Sequence, residues 1–436
     1  MLSAESANHK RPFALGVDFF LMVHMRRFYF SAVTCASGIF LGGPAFAQST
    51  DPFTETRSRG FEYGQVRVIP SLTLGAFRES NPLLSASGGP SDTGLTAGLS
   101  MSIESIRPGG PSALFSLGST RHKDLDSEHE ARSMVQLNAG LPLGGWLLPM
   151  NLSYSKNKLD RGSLLSEESA TSQVVATRQD ATTMAASINA VRTFGENNLV
   201  FGFRLLDTNV SSATLVDGTA VKSTASNHAY FLSSKLARPL TVTSQWYVRA
   251  GLDRYDYDAG DLPVIGSRDS RTLSVAMGIQ GQHGKLSGMA EVGRQSKKSD
   301  SFLVPAGAAS IVSLNVQYGA SPALTFGLGL NRSLVETNTP GVSDFLATSK
   351  SLNVSYRFAP QWIVQAGLSH TELDPRPIEA AIKDASLSAS LMWKPDAKVL
   401  VSLGVAKTRR SVSQNLAAMV NPYANTKSTL SLTYYI

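Results

Sequence analysis

In several stretches of the sequence apolar residues occupy every second position, and basic residues occupy some of the positions between them. Arg204, for example, lies between Phe203 and Leu205. Four cations in this phase are candidates for lining one polar wall: Arg204, Lys235, Arg249 and Arg357. Arg and Lys on such a wall favour anionic solutes. Alternatively, each cation pairs with a wall carboxylate such as Asp253 or Glu291, and the sequence favours neither interpretation.

A second group that could do chemistry combines acidic residues with histidines. Three acidic residues alternate over a short stretch, Asp124, Asp126 and Glu128, and they lie beside His122 and His129. Such a loop could hold a divalent cation that bridges lipopolysaccharide phosphates. It lacks the turn glycine and the ligand spacing of a calcium loop. We therefore predict no resident metal and no cofactor.

No catalytic signature is present in the sequence. There is no G-x-S-x-G elbow, no H-E-x-x-H pair and no phosphate-binding P-loop. The single cysteine, Cys35, falls in the amino-terminal segment, so a thiolate nucleophile or metal site is not expected further along. We predict that the protein is not an enzyme.

The charge balance indicates no nucleic-acid partner. The formal net charge is +7, but the basic residues are scattered and never form a run of five or six. A nucleic-acid-binding surface concentrates its Lys and Arg on one face or helix. The mean hydropathy of -0.04 is also too low for a bundle of membrane helices, whose spans need about 20 apolar residues each.

The segments that carry these residues show a hydrophobic pattern that repeats every two residues. Apolar residues occupy every second position over stretches of about a dozen residues. These rows include residues 95–103, 135–141, 199–205, 273–279, 324–330, 399–405 and 430–436. Strict alternation predicts β-strands with one apolar face. Their length matches the roughly 9–11 residues of a membrane-spanning strand rather than the five or six of an ordinary one.

The breaks between the rows alternate between short and long. Short breaks include residues 107–111, 142–145, 193–197, 238–239 and 394–398, whereas residues 158–179, 211–227 and 258–270 are long and polar. Bacterial outer-membrane barrels alternate short periplasmic turns with long external loops. We predict an all-β, transmembrane antiparallel β-barrel of about eighteen strands, with sixteen as the alternative, over residues 62–436.

The amino-terminal region reads as a targeting sequence. Arg26 and Arg27 precede an apolar stretch at 28–41, and Ala45-Phe46-Ala47 is a small-x-small cleavage site. Residues 1–47 are thus a predicted extension and signal peptide, whose start at Met1 or at Met25 stays open. Residues 48–61 form a short periplasmic segment, too short for a folded plug. The predicted location is the bacterial outer membrane.

Tryptophans mark one boundary of the predicted barrel. Each adjoins a short break: Trp146, Trp246, Trp362 and Trp393. Amphipathic aromatic rings collect where membrane meets water. The four residues therefore predict an aromatic girdle at the end that carries the short turns.

Two segments resemble known families. The last residues alternate apolar side chains at Leu430, Leu432, Tyr434 and Ile436, which resembles the carboxy-terminal signal read by the barrel-assembly machinery, although that signal usually ends in Phe or Trp. Residues 68–75 and 79–82 resemble the opening of the β-barrel porins associated with exopolysaccharide export. That resemblance implies passage of a polar, anionic polymer or oligomer and, as partners, periplasmic polysaccharide export components. Any outer-membrane barrel is also expected to contact outer-membrane lipid and lipopolysaccharide.

Two classes of function fit these features. The first is a porin-like channel for a polar, anionic solute or an exported polysaccharide, with the four wall cations setting its selectivity. The second is a surface-display or adhesion barrel whose external loops bind another cell and whose lumen is closed. A rim enzyme would need a Ser/His/Asp cluster, and nothing in the sequence predicts one.

Overall fold

The computed structural model describes residues 60–436 with gaps at 87, 108, 160, 162–175, 216, 259–267, 301–305, 338–341, 343, 377, 379 and 417–419. The predicted signal peptide, and the predicted periplasmic segment up to residue 59, lie outside the described residues. Within the described part of the chain, no helix has the length and apolar character needed to cross a membrane.

Eighteen long antiparallel strands form one closed barrel. The strands are β1 Val66–Glu79, β2 Asp92–Ser105, β3 Ser112–His122, β4 Glu130–Leu143, β5 Trp146–Lys158, β6 Asp180–Phe194, β7 Asn197–Val210, β8 Asn227–Thr241, β9 Ser244–Tyr257, β10 Ser270–His283, β11 Leu286–Ser299, β12 Gly307–Ser321, β13 Leu324–Val335, β14 Asp344–Ala359, β15 Trp362–Arg376, β16 Ile382–Trp393, β17 Val399–Val412 and β18 Tyr423–Tyr435.

Each strand pairs with its neighbours in the sequence, and β1 pairs with β18 to close the ring. The predicted all-β barrel is therefore confirmed, and eighteen rather than sixteen is the strand count. The described residues contain no plug domain. Closure follows from the solvent, because in hydrocarbon every backbone N–H and C=O needs a partner within the protein and an open sheet edge has none.

The two faces of the wall differ as the alternation predicts. Large apolar side chains on the outer face are exposed, as at Leu95 (67%), Leu117 (58%) and Met277 (59%). In a soluble protein such a surface would be an aggregation site, whereas lipid chains cover it in a membrane. The intervening residues point inward and are mostly Ser, Thr, Asn, Gln and Gly.

One end of the barrel carries short turns, which we call the turn end. Most of its connections have two residues, for example 144–145, 195–196 and 284–285. Gly144 and Gly145 have φ angles of 54° and 81°, the positive values that a tight hairpin turn requires and that side chains other than glycine rarely adopt. The opposite end, which we call the loop end, carries the longer connections.

One predicted turn is displaced. The sequence placed a break at Arg238 and Pro239, but β8 continues to Thr241 and the turn lies at 242–243. The register of β8 against β9 shifts between Pro239 and Thr241. Proline cannot donate to the ladder, and here the sheet accommodates it with a bulge rather than with a turn.

Two other prolines lie inside strands. Pro149 falls where the pairing of β5 with β6 is interrupted between Leu147 and Met150. Pro70 falls between two ladders on one edge of β1, because a short strand at Phe61–Tyr63 pairs with the beginning of β1 and β18 pairs only from Ser71 onward. At both positions, therefore, the missing N–H of proline removes no hydrogen bond from the ladder of the barrel.

The loops contain little regular structure. A small hairpin, Ala213–Thr214 with Ala220–Val221, follows β7. Near its turn the pKa of the Asp217 carboxyl is lowered because the backbone N–H of Thr219 donates to it at 2.9 Å. Short 3-10 turns lie at Asp126–Glu128 and Gln414–Leu416.

Candidate functional site

The inner wall is polar and reachable by water at many points. On β12 to β16, several inward side chains are exposed to the lumen: Asn315, Gln317, Asn331, Asn353 and Ser388. Their exposure means that space of at least the size of a water molecule lies beside them. A wall of small polar residues leaves a wetted lumen, as in large membrane barrels, instead of a packed core.

Two of the predicted cations, Lys235 and Arg249, are direct neighbours across β8 and β9. Arg249 forms a two-pronged ion pair with Glu291 of β11, with Nε to Oε2 at 2.7 Å and Nη2 to Oε1 at 2.6 Å. The hydroxyl of Tyr247 donates to the same carboxylate at 3.0 Å. Arg249 therefore follows the second of the two interpretations, in which a wall cation pairs with a wall carboxylate, because the buried carboxylate of Glu291 holds its guanidinium.

The ammonium group of Lys235 has different partners. Its Nζ donates to Oε1 of Gln280 at 2.7 Å and lies 3.9 Å from the centre of the Tyr247 ring. A cation placed so is attracted to the face of the aromatic ring. The ammonium group of Lys235 is thus held at the wall by Gln280 and the face of the Tyr247 ring.

Arg204 of β7 lies closer to the loop end. Its guanidinium stands over the ring of Phe231 at 5.4 Å, and Phe231 meets Tyr255 edge-on at 5.7 Å. Phe231 separates Arg204 from Asp253, which stands opposite Phe231 on β9. The result is a patch of aromatic rings flanked by one cation and one carboxylate.

The fourth predicted cation is not brought to this cluster. Arg357 lies near the turn end of β14, five strands away from Arg249 on β9. The structure instead adds an arginine that sequence reasoning missed. Arg132 of β4 points inward, is exposed, and its side chain has no ion-pair or hydrogen-bond partner within the described residues. Alternation with Ala131 and Ser133 would have revealed its inward phase.

Glu336 and Thr337, which directly follow β13, narrow the lumen near the loop end. Glu336 follows β13, yet its carboxylate binds Lys297 of β11 at 2.8 Å and accepts hydrogen bonds from Ser270 of β10 at 2.9 Å and Tyr257 of β9 at 3.3 Å. Strands β9 and β13 are four positions apart, about 19 Å along the wall. Side chains bridge that distance only if Glu336 lies inside the ring of strands, within the lumen.

Neighbouring contacts show the same inward course. The side-chain amide of Gln295 on β11 accepts a hydrogen bond from the backbone N–H of Leu334 at 3.0 Å. Arg268 donates to the backbone carbonyl of Thr337 at 2.6 Å. Arg376, at the end of β15, reaches the carbonyl of Ala308 on β12 at 3.1 Å. The loop ends of β13 to β15 therefore lean over β12. Inward apolar residues are buried there: Ile311, Val335, Phe345 and Leu373.

The acidic and histidine cluster contacts side chains of neighbouring segments. Nδ1 of His122 lies 3.2 Å from the buried carboxylate of Asp92. Glu128 is 3% exposed and pairs with Arg161 at 2.7 Å. No group of three metal-ligating side chains was found in the part of the chain that the structure describes.

All four tryptophans lie at the turn end, on the outer phase of their strands. Trp362 begins β15 and Trp393 ends β16, and their rings stack at 5.5 Å. Trp146 begins β5, with the guanidinium of Arg192 at 5.4 Å over its ring, and Trp246 is the third residue of β9. Their role as a girdle stays a prediction.

The carboxy-terminal residues line the outer face of β18. Leu430 and Leu432 are exposed there, as are Tyr434 and Ile436 at the turn end. The backbone N–H of Ile436 donates to the carbonyl of Pro70 at 3.0 Å, so the chain terminus closes the seam with β1. Recognition of these residues by the assembly machinery stays a prediction.

A closed barrel with an exposed apolar outer face and a polar lumen defines a membrane-spanning, porin-like protein. A family model described as "Putative beta-barrel porin 2" matches residues 54–433, most of the chain. The chain belongs to this family, which places it in the outer membrane.

Solved structures match this chain at low sequence identity and with TM-scores below 0.5. The outer membrane protein OpdK of Pseudomonas aeruginosa has 13% identity and a TM-score of 0.43, with coverage of 85% of this chain and 98% of its own. The siderophore receptor PirA of the same organism has 10% identity and a TM-score of 0.43 (87% and 81% covered). The iron transporter FrpB of Neisseria meningitidis has 9% identity and a TM-score of 0.41 (84% and 81%). None of the curated proteins matches the sequence.

Proposed function

We propose that this protein is a passive channel for polar solutes, of which hydroxylated carbohydrate oligomers suit the wall best. The observation that carries the proposal is the inner wall of exposed amide and hydroxyl side chains on β12 to β16. Such groups exchange hydrogen bonds with a hydroxylated solute at little cost, because they already exchange them with water. The family resemblance to barrels associated with exopolysaccharide export supports the same solute class.

The charge on the wall supports a modest preference for anions. Arg249 is neutralised by Glu291, whereas Arg204 and Arg132 have no carboxylate within salt-bridge distance among the described residues. Asp253 opposes them as a single inward carboxylate near Phe231. A small positive excess in a wetted lumen attracts anions without binding them tightly enough to block passage.

Planar-bilayer recording of the refolded chain in a salt gradient tests the proposal. We expect open channels whose reversal potential shows anion preference. The double change Arg132→Gln with Arg204→Gln is expected to move the permeability ratio towards cations. The matched control is Arg271→Gln with Arg294→Gln, two exposed arginines on the outer face. A folded barrel that conducts nothing would overturn the channel and favour the surface-display alternative.

The solute class is tested by adding neutral malto-oligosaccharides to the same recordings. Sugar in the lumen displaces ions, so transient and concentration-dependent current blockades are expected. Asn331→Leu with Asn353→Leu removes two exposed amides from the wall and is expected to shorten the blockades. Blockades that are absent in the unaltered protein would remove the carbohydrate part of the proposal and leave a general polar pore.

A further inference from the structure

The outer wall carries an unusual group of cations at the loop end. We call this group the seam patch because it spans the junction of β1 with β18. Its members point outward and are exposed: Arg78, Arg121, Lys407 and Arg409. In the described residues none of their side chains has an ion-pair or hydrogen-bond partner. Unpaired cations on a lipid-facing wall are costly unless an anion meets them there.

No carboxylate lies among the outward residues of the strands that carry the patch, β17, β18, β1, β2 and β3. The nearby acids are engaged elsewhere. Glu79 points inward to Lys427 at 3.1 Å, and Asp92 points inward to His122. Beyond the end of β3, the exposed residues Lys123 and Asp124 together add no net charge. The outer face of five adjacent strands is thus purely positive at this level.

Hydroxyl groups lie between the cations. Arg78 stands opposite Ser428 on one side and Thr93 on the other, and Lys407 stands opposite Thr426. Neighbouring strands are about 4.8 Å apart. Arg78 on β1 and Lys407 on β17 are therefore separated by two strand spacings, a distance that two long side chains can close around one phosphate group.

The patch borders directly on the apolar belt. Below Lys407 the outer face continues with Val405 and Leu403, and below Ser428 with Leu430, all exposed. A ligand that fills both surfaces must carry negative charge at one end and several hydrocarbon chains at the other. Because the loop end of an outer-membrane barrel faces the exterior, that ligand belongs to the outer leaflet.

We propose that the seam patch binds a phosphorylated, multiply acylated glycolipid of the outer leaflet. Its sugar phosphates meet Arg78, Lys407 and Arg409 together with the flanking hydroxyls, and its acyl chains lie on the apolar rows beneath. Arg121, two strands further along on β3, extends the positive surface to a second phosphate. This inference is independent of the proposed channel, because it concerns only the outer wall.

Another part of the same wall offers a matched control. Arg254, Arg271 and Lys298 are cross-strand neighbours on β9 to β11. Arg294 lies two outward positions below Lys298 on the same strand, with Ser296 between them. There, however, Asp256 binds Arg254 at 2.7 Å. This group holds three arginines and one lysine, as the seam patch does, but a carboxylate already lies among them.

Binding of purified diphosphoryl lipid A to the refolded full chain in detergent tests the proposal by native mass spectrometry. The seam variant is R78Q/R121Q/K407Q/R409Q and the control variant is R254Q/R271Q/R294Q/K298Q. Each cation near an anionic membrane surface contributes roughly a fivefold factor in affinity. We expect the seam variant to bind lipid A at least about a hundredfold more weakly, and the control variant to bind within about fivefold of the unaltered protein.

Two further measurements distinguish a loss of lipid binding from a loss of folding and from binding through acyl chains alone. Heat-modifiable migration in gels verifies that each variant is a folded barrel, and the single changes Arg78→Gln and Lys407→Gln replace the seam variant if it fails to fold. Dephosphorylated lipid A, with the same acyl chains, is expected to bind weakly to every variant. Unchanged lipid A binding in a folded seam variant, or equal losses in both variants, would overturn the proposal.

Discussion

The ion pair between Arg249 and Glu291 allows an asymmetric perturbation. Glu291 is the buried partner, with 5% of its side chain exposed, whereas 38% of the Arg249 side chain is exposed to the lumen. Arg249→Gln leaves a carboxylate stranded in the wall with only the Tyr247 hydroxyl as a strong donor. Glu291→Gln leaves a guanidinium that can turn towards water. The two removals of one ion pair should therefore differ in cost.

The magnitudes follow from this difference in burial. Removing one partner of a buried pair costs about 3–5 kcal/mol. We expect Arg249→Gln to lower the free energy of unfolding by about 3 kcal/mol, the low end, because Tyr247 still donates to Glu291. Glu291→Gln should cost about 1 kcal/mol, since an exposed cation recovers most of its hydration. The difference of about 2 kcal/mol is roughly thirtyfold in the unfolding equilibrium.

Urea unfolding of the barrel in lipid vesicles, followed by tryptophan fluorescence, measures both costs. Planar-bilayer reversal potentials supply an independent reading. Glu291→Gln adds one unit of positive charge to the lumen and is expected to raise the anion preference, whereas Arg249→Gln is expected to lower it. The double variant R249Q/E291Q removes both charges and should restore the original selectivity.

Either of two results would refute this reasoning. A larger stability loss for Glu291→Gln than for Arg249→Gln would mean that Arg249, not Glu291, is the desolvated partner. An unchanged reversal potential in both single variants would mean that this part of the wall does not face the ion path.

Three further predictions concern the loop, the rim and the last strand. Glu336→Gln breaks a mostly buried ion pair with Lys297, which is worth about 3 kcal/mol. We expect the side chain at 336 to leave the lumen and single-channel conductance to rise, and unchanged conductance would contradict the constriction. Trp393→Ala removes the stack on Trp362 and should lower stability in vesicles by about 1–2 kcal/mol, more than Trp393→Phe does. Leu432→Asp places a charge on the lipid face of β18 and should reduce heat-modifiable barrel in cells, whereas Thr433→Asp, on the inner face, should not.

The strands could be predicted from the sequence because their cause is local. Each residue of a membrane barrel faces either lipid or lumen, so the preference of each side chain appears directly as alternation, for instance along residues 273–279. The turn at 144–145 is equally local, since two consecutive glycines permit the positive φ angles that it needs. The prediction of a turn at Pro239 was wrong because a bulge accommodates the proline, and the bulge depends on the neighbouring strand.

The inner wall could be predicted only in part. Alternation identified which cations point inward, but not which of them keep their charge unpaired. Arg249 and Glu291 are 42 residues apart, and they meet because β9 and β11 lie two strands apart in one particular register. Arg132, in contrast, carried the same alternation signal as Arg204.

The sequence by itself determined a barrel of long strands with an apolar outside, a polar inside and two unlike ends, because lipid and water act on one residue at a time. The tertiary structure alone decided the rest. Glu336 lies in no strand, and only the packing of the loop ends of β13 to β15 over β12 brings it to Lys297, Ser270 and Tyr257. The constriction and the seam patch both depend on which strands are neighbours around the ring, a property that no local pattern contains.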